Sequence, residues 1–248
     1  MPTINLAAAA SLVNGLPEAI AAFQFNNPTV TFTIMYGGSD ALAGLIVNPN
    51  NDYFDVFLSA GQGAMNEVQN ASMVDTTVSP NPVQFIGNTL VLIKNSKADP
   101  SLNGVVSFAT VIDTYVGSNH IWIANPSLAP AGQYARDQFT LTSNWNYVFN
   151  KATNDNTIGS DVQITLNGLI NDPKPAVDVV YNSDAKGAGI VPSAEAEQTI
   201  NNTIIYPAAV LTNANDHGVK ALATAFVVSL LNPTITDIFT TKGFRSLQ

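Results

Sequence analysis

The sequence contains no cysteine, which excludes disulfide bonds, thiolate ligands for metals, a cysteine nucleophile and an acylated N-terminal cysteine. Charged residues are also scarce: they make up 11% of the 248 residues, whereas an average globular chain has about 25%. Lysine and arginine together number only 9, so no basic patch is available to hold the phosphate backbone of a nucleic acid. The lack of disulfides still allows an oxidising compartment, because such a compartment permits disulfides without requiring them.

The residues that are present predict a folded chain with an uncharged polar surface. Hydrophobic residues reach 46%, which is enough for a sizeable core and excludes intrinsic disorder. The net charge is −9, yet 28 asparagines outnumber the 27 charged residues and supply much of the polar surface. No apolar run approaches the ~18–20 residues of a membrane span, and the closest run, 221–231, is too short.

The N-terminus enters an apolar stretch at Ile4 without a cationic segment before it. This pattern leaves two interpretations open. Either the protein is cytoplasmic, or a signal peptide was removed and an initiator methionine was added.

Apolar runs alternate with helical patterns along most of the chain. The predicted strands are 4–10, 29–36, 55–59, 89–93, 120–124, 176–181 and 203–211, and the predicted helices are 12–23, 39–46, 63–70, 131–139, 161–170 and 219–239, the last with a break at Pro233. Such alternation predicts an α/β fold in which helices cover both faces of a mainly parallel sheet.

The stretch 72–82 lacks clear periodicity and is rich in threonine, serine and proline, which is typical of a connector. Because the strand–helix pattern restarts after it, we predict two α/β lobes rather than one sheet. Lobe I comprises 1–84 and 208–248, lobe II comprises 85–207, and the chain crosses between them near 84–86 and 206–207.

One segment is similar to a catalytic motif. Gly37-Gly38-Ser39-Asp40-Ala41 follows a predicted strand and begins a helix, close to the G-x-S-x-G nucleophile elbow. His217 lies downstream in the order that a serine hydrolase requires, so Ser39 is a candidate nucleophile. Against this, only two strands precede Ser39. The other histidine, His120, is far from His217 without ligand spacing, so both are predicted to be structural and no metal site is expected.

The helix starts favour a different chemistry. Ser11, Ser39 and Ala131 each lie where a strand or loop turns into a helix. A helix N-terminus has free N–H groups and a partial positive charge, so it binds anions without lysine or arginine. The alternative is that the two serines are merely N-caps of their helices.

Seven short stretches in a fixed order resemble one family, the periplasmic molybdate-binding proteins of ABC importers, which bind molybdate or tungstate. They are 8–12 (AAASL), 36–43 (YGGSDALA), 55–60 (DVFLSA), 87–91 (GNTLV), 130–135 (PAGQYA), 180–185 (VYNSDA) and 242–244 (KGF). They occur in family order between residue 4 and residue 244, so the resemblance extends along the whole chain.

The resemblance implies a two-lobed periplasmic-binding-protein-like fold that closes around its ligand at two hinge crossings. The implied ligand residues are Ser11 and Ser39 from lobe I, with Ala131, Tyr181 and the backbone N–H of Val162 from lobe II. Tyr181 is alternatively a core residue, because it ends an apolar strand.

The resemblance also implies an extracytoplasmic, monomeric protein that is not an enzyme and has no cofactor. Its partners are the oxyanion and the permease of an ABC importer with its ATPase. An oxyanion-sensing module is a further alternative.

The chain departs from the family pattern around the second serine, where it has Gly37, Gly38 and Asp40, and at Pro17, and the stretches 95–118 and 144–160 match poorly. Asp40 places a carboxylate beside the second serine, where it repels a dianion unless it points away, caps its own helix or is protonated. Pro17 falls within the predicted first helix and removes one donor, which predicts an irregular helix near Ser11.

Overall fold

The computed structural model describes residues 1–98, 108–109 and 119–247. The chain forms two compact units. Unit 1 comprises Met1–Gly87 and Ile205–Gln248, and unit 2 comprises Asn88–Ile204. Unit 2 is therefore one continuous stretch, whereas unit 1 is assembled from both ends of the chain.

The sheet of unit 1 has five strands in the order β2-β1-β3-β10-β4. They are β1 (Thr3–Ala9), β2 (Thr31–Gly37), β3 (Val56–Leu58), β4 (Val83–Gly87) and β10 (Ile205–Val210). Strand β1 pairs in parallel with β2 and β3, while β10 is antiparallel to both β3 and β4. Four strands therefore run in one direction, and β10 alone among the described strands of this sheet is reversed.

The sheet of unit 2 repeats this plan in the order β7-β6-β8-β5-β9. Its strands are β5 (Leu90–Lys94), β6 (His120–Ala124), β7 (Ile158–Gly159), β8 (Ala176–Tyr181) and β9 (Ala194–Glu195). Strands β6, β7 and β8 are parallel, and β5 is antiparallel to β8 and β9. The predicted α/β class with mainly parallel sheets is confirmed.

Helices surround both sheets. Unit 1 contains a 3-10 helix at Ala10–Asn14 and α-helices at Leu16–Asn26, Ser39–Ile46, Gln62–Asn70, Asn213–Asp216, Lys220–Ser229 and Pro233–Thr241. Unit 2 contains Pro130–Leu141, Trp145–Asp155, Val162–Asn171, Asn182–Gly187 and Gln198–Asn201. Within the described residues, no single helix has the length and apolarity to cross a membrane. One pair meets this test jointly, Lys220–Ser229 with Pro233–Thr241, but it is bent by 63°.

The predicted single helix 12–23 is wrong, because the chain breaks at Gly15. A Cβ atom at Gly15 would lie 2.6 Å from the ring of Phe239, so only glycine allows this close approach. Pro17 sits in the first turn of Leu16–Asn26, where its missing N–H costs nothing. The irregularity predicted near Ser11 is present, as a short 3-10 helix that contains the serine, but its cause is the break at Gly15 and not Pro17.

Candidate functional site

In unit 1 the strand register brings three segments to one edge of the sheet. Ala9 is paired with Gly37 across β1 and β2, and Ala8 is paired with Leu58 across β1 and β3. Ser11 and Ser39 each follow their strand by two residues, and so does Ala60 after β3. Because the carboxyl ends of parallel strands meet at one edge, these three residues lie together there.

Ser39 is 1% exposed, and its Oγ accepts a hydrogen bond of 2.9 Å from the backbone N–H of Ala60. Gly38 is the N-cap residue of helix Ser39–Ile46, and no side chain caps this helix. The N-cap alternative is therefore wrong for Ser39. Since the hydroxyl oxygen already accepts from Ala60, its proton is available for an acceptor outside the protein.

Ser11 is equally buried, and its Oγ lies 2.8 Å from the hydroxyl oxygen of Tyr206 on β10. It makes no capping bond, because it lies inside the 3-10 helix whose N-cap residue is Ala9. The N-cap alternative is wrong here as well. The ring of Tyr206 packs edge-on against Phe85 and Phe244, which fixes its hydroxyl beside the serine. When Tyr206 donates in this pair, Ser11 keeps its own proton for another acceptor.

The hydrolase alternative requires His217 beside Ser39, and the structure places them apart. Nδ1 of His217 lies 2.7 Å from Oδ1 of Asp55, which precedes β3, whereas Ser39 is bonded to Ala60, which follows β3. Asp55 and Ala60 are separated by five residues of extended chain, a distance of roughly 16 Å. Ser39 and His217 therefore do not form a nucleophile–base pair. His120 is likewise bonded to a carboxylate, with Nδ1 2.8 Å from Asp172.

In unit 2 the ends of β6, β7 and β8 bring the other predicted residues to one sheet edge. Ala124 is paired with Gly159 at the ends of β6 and β7, and Tyr181 ends the parallel strand β8. Val162 follows Gly159 by three residues. The start of helix Pro130–Leu141 joins this edge through Gly132, where a Cβ atom would lie 2.3 Å from the carbonyl oxygen of Ala124.

Ala131 is the second residue of its helix and is 2% exposed. The preceding Pro130 has no N–H, and the carbonyl of Ala129 accepts from Gly132 and Gln133. The backbone N–H of Ala131 is thus among the donors that a helix start leaves without an acceptor in its own helix. The predicted backbone contribution fits this position.

Helix Val162–Asn171 has an acidic cap that the sequence analysis did not identify. Oδ1 of Asp161 accepts from the N–H groups of Gln163 (2.9 Å) and Ile164 (3.0 Å). Val162 precedes both of these residues, so its N–H lies outside the cap. The Asp161 carboxylate, however, neutralises part of the positive helix end and repels a nearby anion. The aspartate at the first position of the predicted helix 161–170 was the signal for this cap.

Behind this edge lie two fully buried carboxyl groups, Asp178 and Asp184. Nε2 of Gln163 donates to Oδ1 of Asp184 over 2.7 Å. Burial raises the pKa of both carboxyls well above the usual range. Repulsion from a second carboxyl raises each pKa further: Asp184 acts on Asp178, and Asp161 acts on Asp184. These shifts favour the neutral acids, so the pair adds less negative charge to the edge than two ordinary aspartates would.

We expect Asp178→Asn to stabilise the protein mainly at high pH. The folded-state pKa of Asp178 is raised above its ordinary value of 3.8, so the folded state binds more protons than the unfolded state between these two pKa values. Stability from this group is present in acid and is lost as pH rises through that interval. When melting temperatures are measured as a function of pH, those of the wild type and of Asp178→Asn should be similar in acid and should diverge towards alkaline pH. A gain independent of pH would contradict the assignment.

Tyr181 is 1% exposed and its ring packs edge-on against Tyr134, with ring centroids 6.4 Å apart. The core alternative and the ligand assignment both fit a buried ring at a strand end.

The structure therefore brings Ser11 together with Ser39 in unit 1. In unit 2 it brings Ala131, Val162 and Tyr181 to one edge. Tyr206, which supports Ser11, was missed because 195 residues separate the two in sequence.

Comparison with known proteins gives a consistent result. The family model for bacterial extracellular solute-binding proteins matches residues 4–245. The molybdate-binding protein ModA of Haemophilus influenzae is 25% identical over 205 residues, which cover 83% of this chain and 72% of that protein.

Two solved structures show the same fold as this chain. The periplasmic molybdate-binding protein of Azotobacter vinelandii has a TM-score of 0.78 and 19% identity, covering 99% of this chain and 100% of its own. The sulfate-binding protein SubI of Mycobacterium tuberculosis has a TM-score of 0.73 and 14% identity, covering 100% of this chain and 88% of its own. The predicted periplasmic-binding-protein-like fold is confirmed.

Proposed function

Because the chain belongs to the family of bacterial extracellular solute-binding proteins, we propose that it captures a tetrahedral oxyanion, molybdate or tungstate, and delivers it to an ABC importer. The observation that carries this proposal is the pair of buried serine hydroxyls in unit 1. Ser39 accepts from a backbone N–H and so has a proton to donate, and Ser11 has one as well when Tyr206 is the donor in their pair. Such a pair suits an acceptor-only ligand, and an oxyanion is one.

Neutral donors also suit a carrier that must release its cargo. A hydrogen bond from a neutral donor to a charged partner contributes about 1.5–3 kcal/mol, so several of them hold a dianion without a salt bridge. We propose that Ala131 and Val162 add backbone N–H groups and that Tyr181 adds its hydroxyl. In this proposal each unit contributes donors to the ligand, and no catalytic step is part of the cycle.

The proposed partners follow from this role. The permease of an ABC importer, with its ATPase, receives the oxyanion, and the protein works outside the cytoplasm as a monomer without a cofactor. An oxyanion sensor is the second candidate, because it would use the same site. Genes for a permease and an ATPase beside this one favour transport, whereas a neighbouring signalling gene favours sensing.

A calorimetric titration with molybdate, tungstate, sulfate, phosphate and chromate tests the ligand. We expect molybdate or tungstate to bind at least about tenfold more tightly than sulfate, a difference of about 1.4 kcal/mol or more. Donors at fixed positions select by oxygen spacing, and the smaller sulfate does not reach all of them. Equal affinities would rule out selection by size, and binding of none of the five would rule out the oxyanion site.

A small-angle scattering experiment tests closure. We expect the radius of gyration to fall when molybdate saturates the protein, because a ligand that accepts hydrogen bonds from both units draws them together. The matched control is the same titration with Ser39→Ala at a molybdate concentration that leaves the variant unliganded. An unchanged radius in the saturated wild-type protein would count against closure.

A further inference from the structure

Asn88 stands where the chain enters unit 2, and its side chain is fully buried. Its backbone N–H donates to the carbonyl of Ile204, the last residue of the unit, over 3.2 Å. Its Nδ2 donates to Oγ of Ser183 over 2.9 Å, while its Oδ1 accepts from the N–H of Thr89. One asparagine therefore joins the entry point, the exit point and a distant segment of the unit.

The segment that Asn88 reaches is 181–183, which begins at the proposed ligand residue Tyr181. Leu90 is paired with Tyr181 at the end of the β5–β8 ladder, and the N–H of Asn182 donates to the carbonyl of Thr89 over 2.8 Å. Ser183, like Asn88, is fully buried. The stretch 88–90 is thus joined to 181–183 by backbone pairing and by the side-chain bond from Asn88 to Ser183.

We infer that Asn88 is a positioning residue for the anion-binding edge of unit 2. Its side-chain amide fixes segment 181–183 to the point where the chain enters the unit, while its backbone N–H holds the exit point there, and the side-chain contact keeps Tyr181 where its hydroxyl meets the ligand. The inference rests on the proposed function for the role of Tyr181.

The chemistry of the contact requires an amide. The side chain donates to a hydroxyl and accepts from a backbone N–H at the same time, which neither a carboxylate nor an aliphatic side chain does. A carboxylate would also bury a charge beside Ser183, the residue that precedes the buried Asp184 in sequence. The bond to Ser183 is therefore specific to this residue type.

The matched control lies at the other end of the same strand pair. Asn95 follows β5; its Nδ2 donates to the carbonyl of Lys174 over 2.8 Å and its Oδ1 accepts from the N–H of Ala176 over 3.2 Å. It is nearly as buried as Asn88, at 7% exposure, and is remote from Tyr181 along β8. Its Nδ2 also donates to the carbonyl of Leu169 and its Oδ1 accepts from the N–H of Lys97. Asn95→Ala and Asn88→Ala thus both remove buried side-chain hydrogen bonds, at opposite ends of one ladder.

The first measurement is molybdate affinity in a double-mutant cycle. We expect Asn88→Ala, and Ser183→Ala as the milder variant, to weaken binding about tenfold, and Asn95→Ala to lower the melting temperature without changing affinity. Tyr181→Phe should cost much less in the Asn88→Ala background than in the wild type, because its hydroxyl is already misplaced. Additive losses, or unchanged affinity in both Asn88→Ala and Ser183→Ala, would overturn the inference.

The second measurement needs no ligand. Hydrogen exchange of the 181–183 backbone should accelerate in Asn88→Ala and in Ser183→Ala but not in Asn95→Ala. Unchanged exchange in both variants would overturn the positioning role even if molybdate binds. Faster exchange in a protein whose wild type binds none of the five anions would instead remove the proposed function and leave the positioning of the segment in place.

Discussion

Ser39→Ala is expected to weaken molybdate binding by about 1.5–3 kcal/mol, roughly 10- to 150-fold, because it removes a neutral donor to a charged ligand. The same change leaves the N–H of Ala60 without its buried acceptor, which costs about 1–3 kcal/mol of folding free energy. Calorimetric titration and thermal unfolding separate these two effects. Ser11→Ala should lose a similar amount of affinity.

The control for the serines is Ser59, which is also buried and lies at the same edge of unit 1. Its hydroxyl donates to the carbonyl of Gly61 and accepts from the N–H of that residue, so its proton is already used within the protein. Ser59→Ala should therefore reduce stability and leave affinity unchanged. Tyr206→Phe should weaken binding by less than Ser11→Ala, because it only frees the serine to rotate. If Ser11→Ala and Ser39→Ala bind like the wild type, the residue assignment fails even though the family stands.

Gly132→Ala should destabilise the protein by about 2–3 kcal/mol and weaken molybdate binding as well. A Cβ atom there would lie 2.3 Å from the carbonyl oxygen of Ala124 and 2.7 Å from the backbone nitrogen of Pro126. Both neighbours are backbone atoms, so the helix start must move, and the N–H of Ala131 moves with it. Thermal unfolding and titration measure the two consequences.

Gly44→Ala provides the comparison, because Gly44 also lies within a helix but a Cβ atom there has no described neighbour within 4 Å. This change should stabilise the protein by roughly 0.5–1 kcal/mol and leave binding unchanged. A Gly132→Ala protein with wild-type melting temperature and affinity would show that the helix start does not need this close contact.

Local patterning predicted the strands and helices because burial repeats with a period that each element imposes. The strands His120–Ala124 and Ala176–Tyr181 were predicted to the residue. The helix at 12–23 was not, because the break at Gly15 depends on the ring of Phe239, more than 200 residues away. Local periodicity carries no information about such an approach.

In the candidate site, too, some features can be predicted from local sequence and others depend on contacts between distant parts of the chain. The serines are visible in the sequence as hydroxyl residues directly after strands, and register alone brings them together. Tyr206 is not visible, since its contact with Ser11 depends on β10 entering the sheet beside β3. The position of Asp161 in the sequence is enough to recognise it as a cap. That its carboxylate repels an anion at the same helix start could be inferred only from the structure, which shows it bonded to the N–H of Gln163.

The discontinuous build of unit 1 has a consequence for biogenesis. Strand β10 lies between β3 and β4, and β4 is otherwise paired, among the described residues, only through a bridge from Gly87 to Arg245, which is also made late. A ribosome therefore completes all of Asn88–Ile204 before it makes the strand that closes the first sheet, so unit 2 is free to fold while unit 1 waits. Tyr206 arrives with that late strand. Chains truncated after residue 204 and released from the ribosome should thus contain a protease-resistant second unit and an unfinished first one, in which Ser11 has yet to meet its partner.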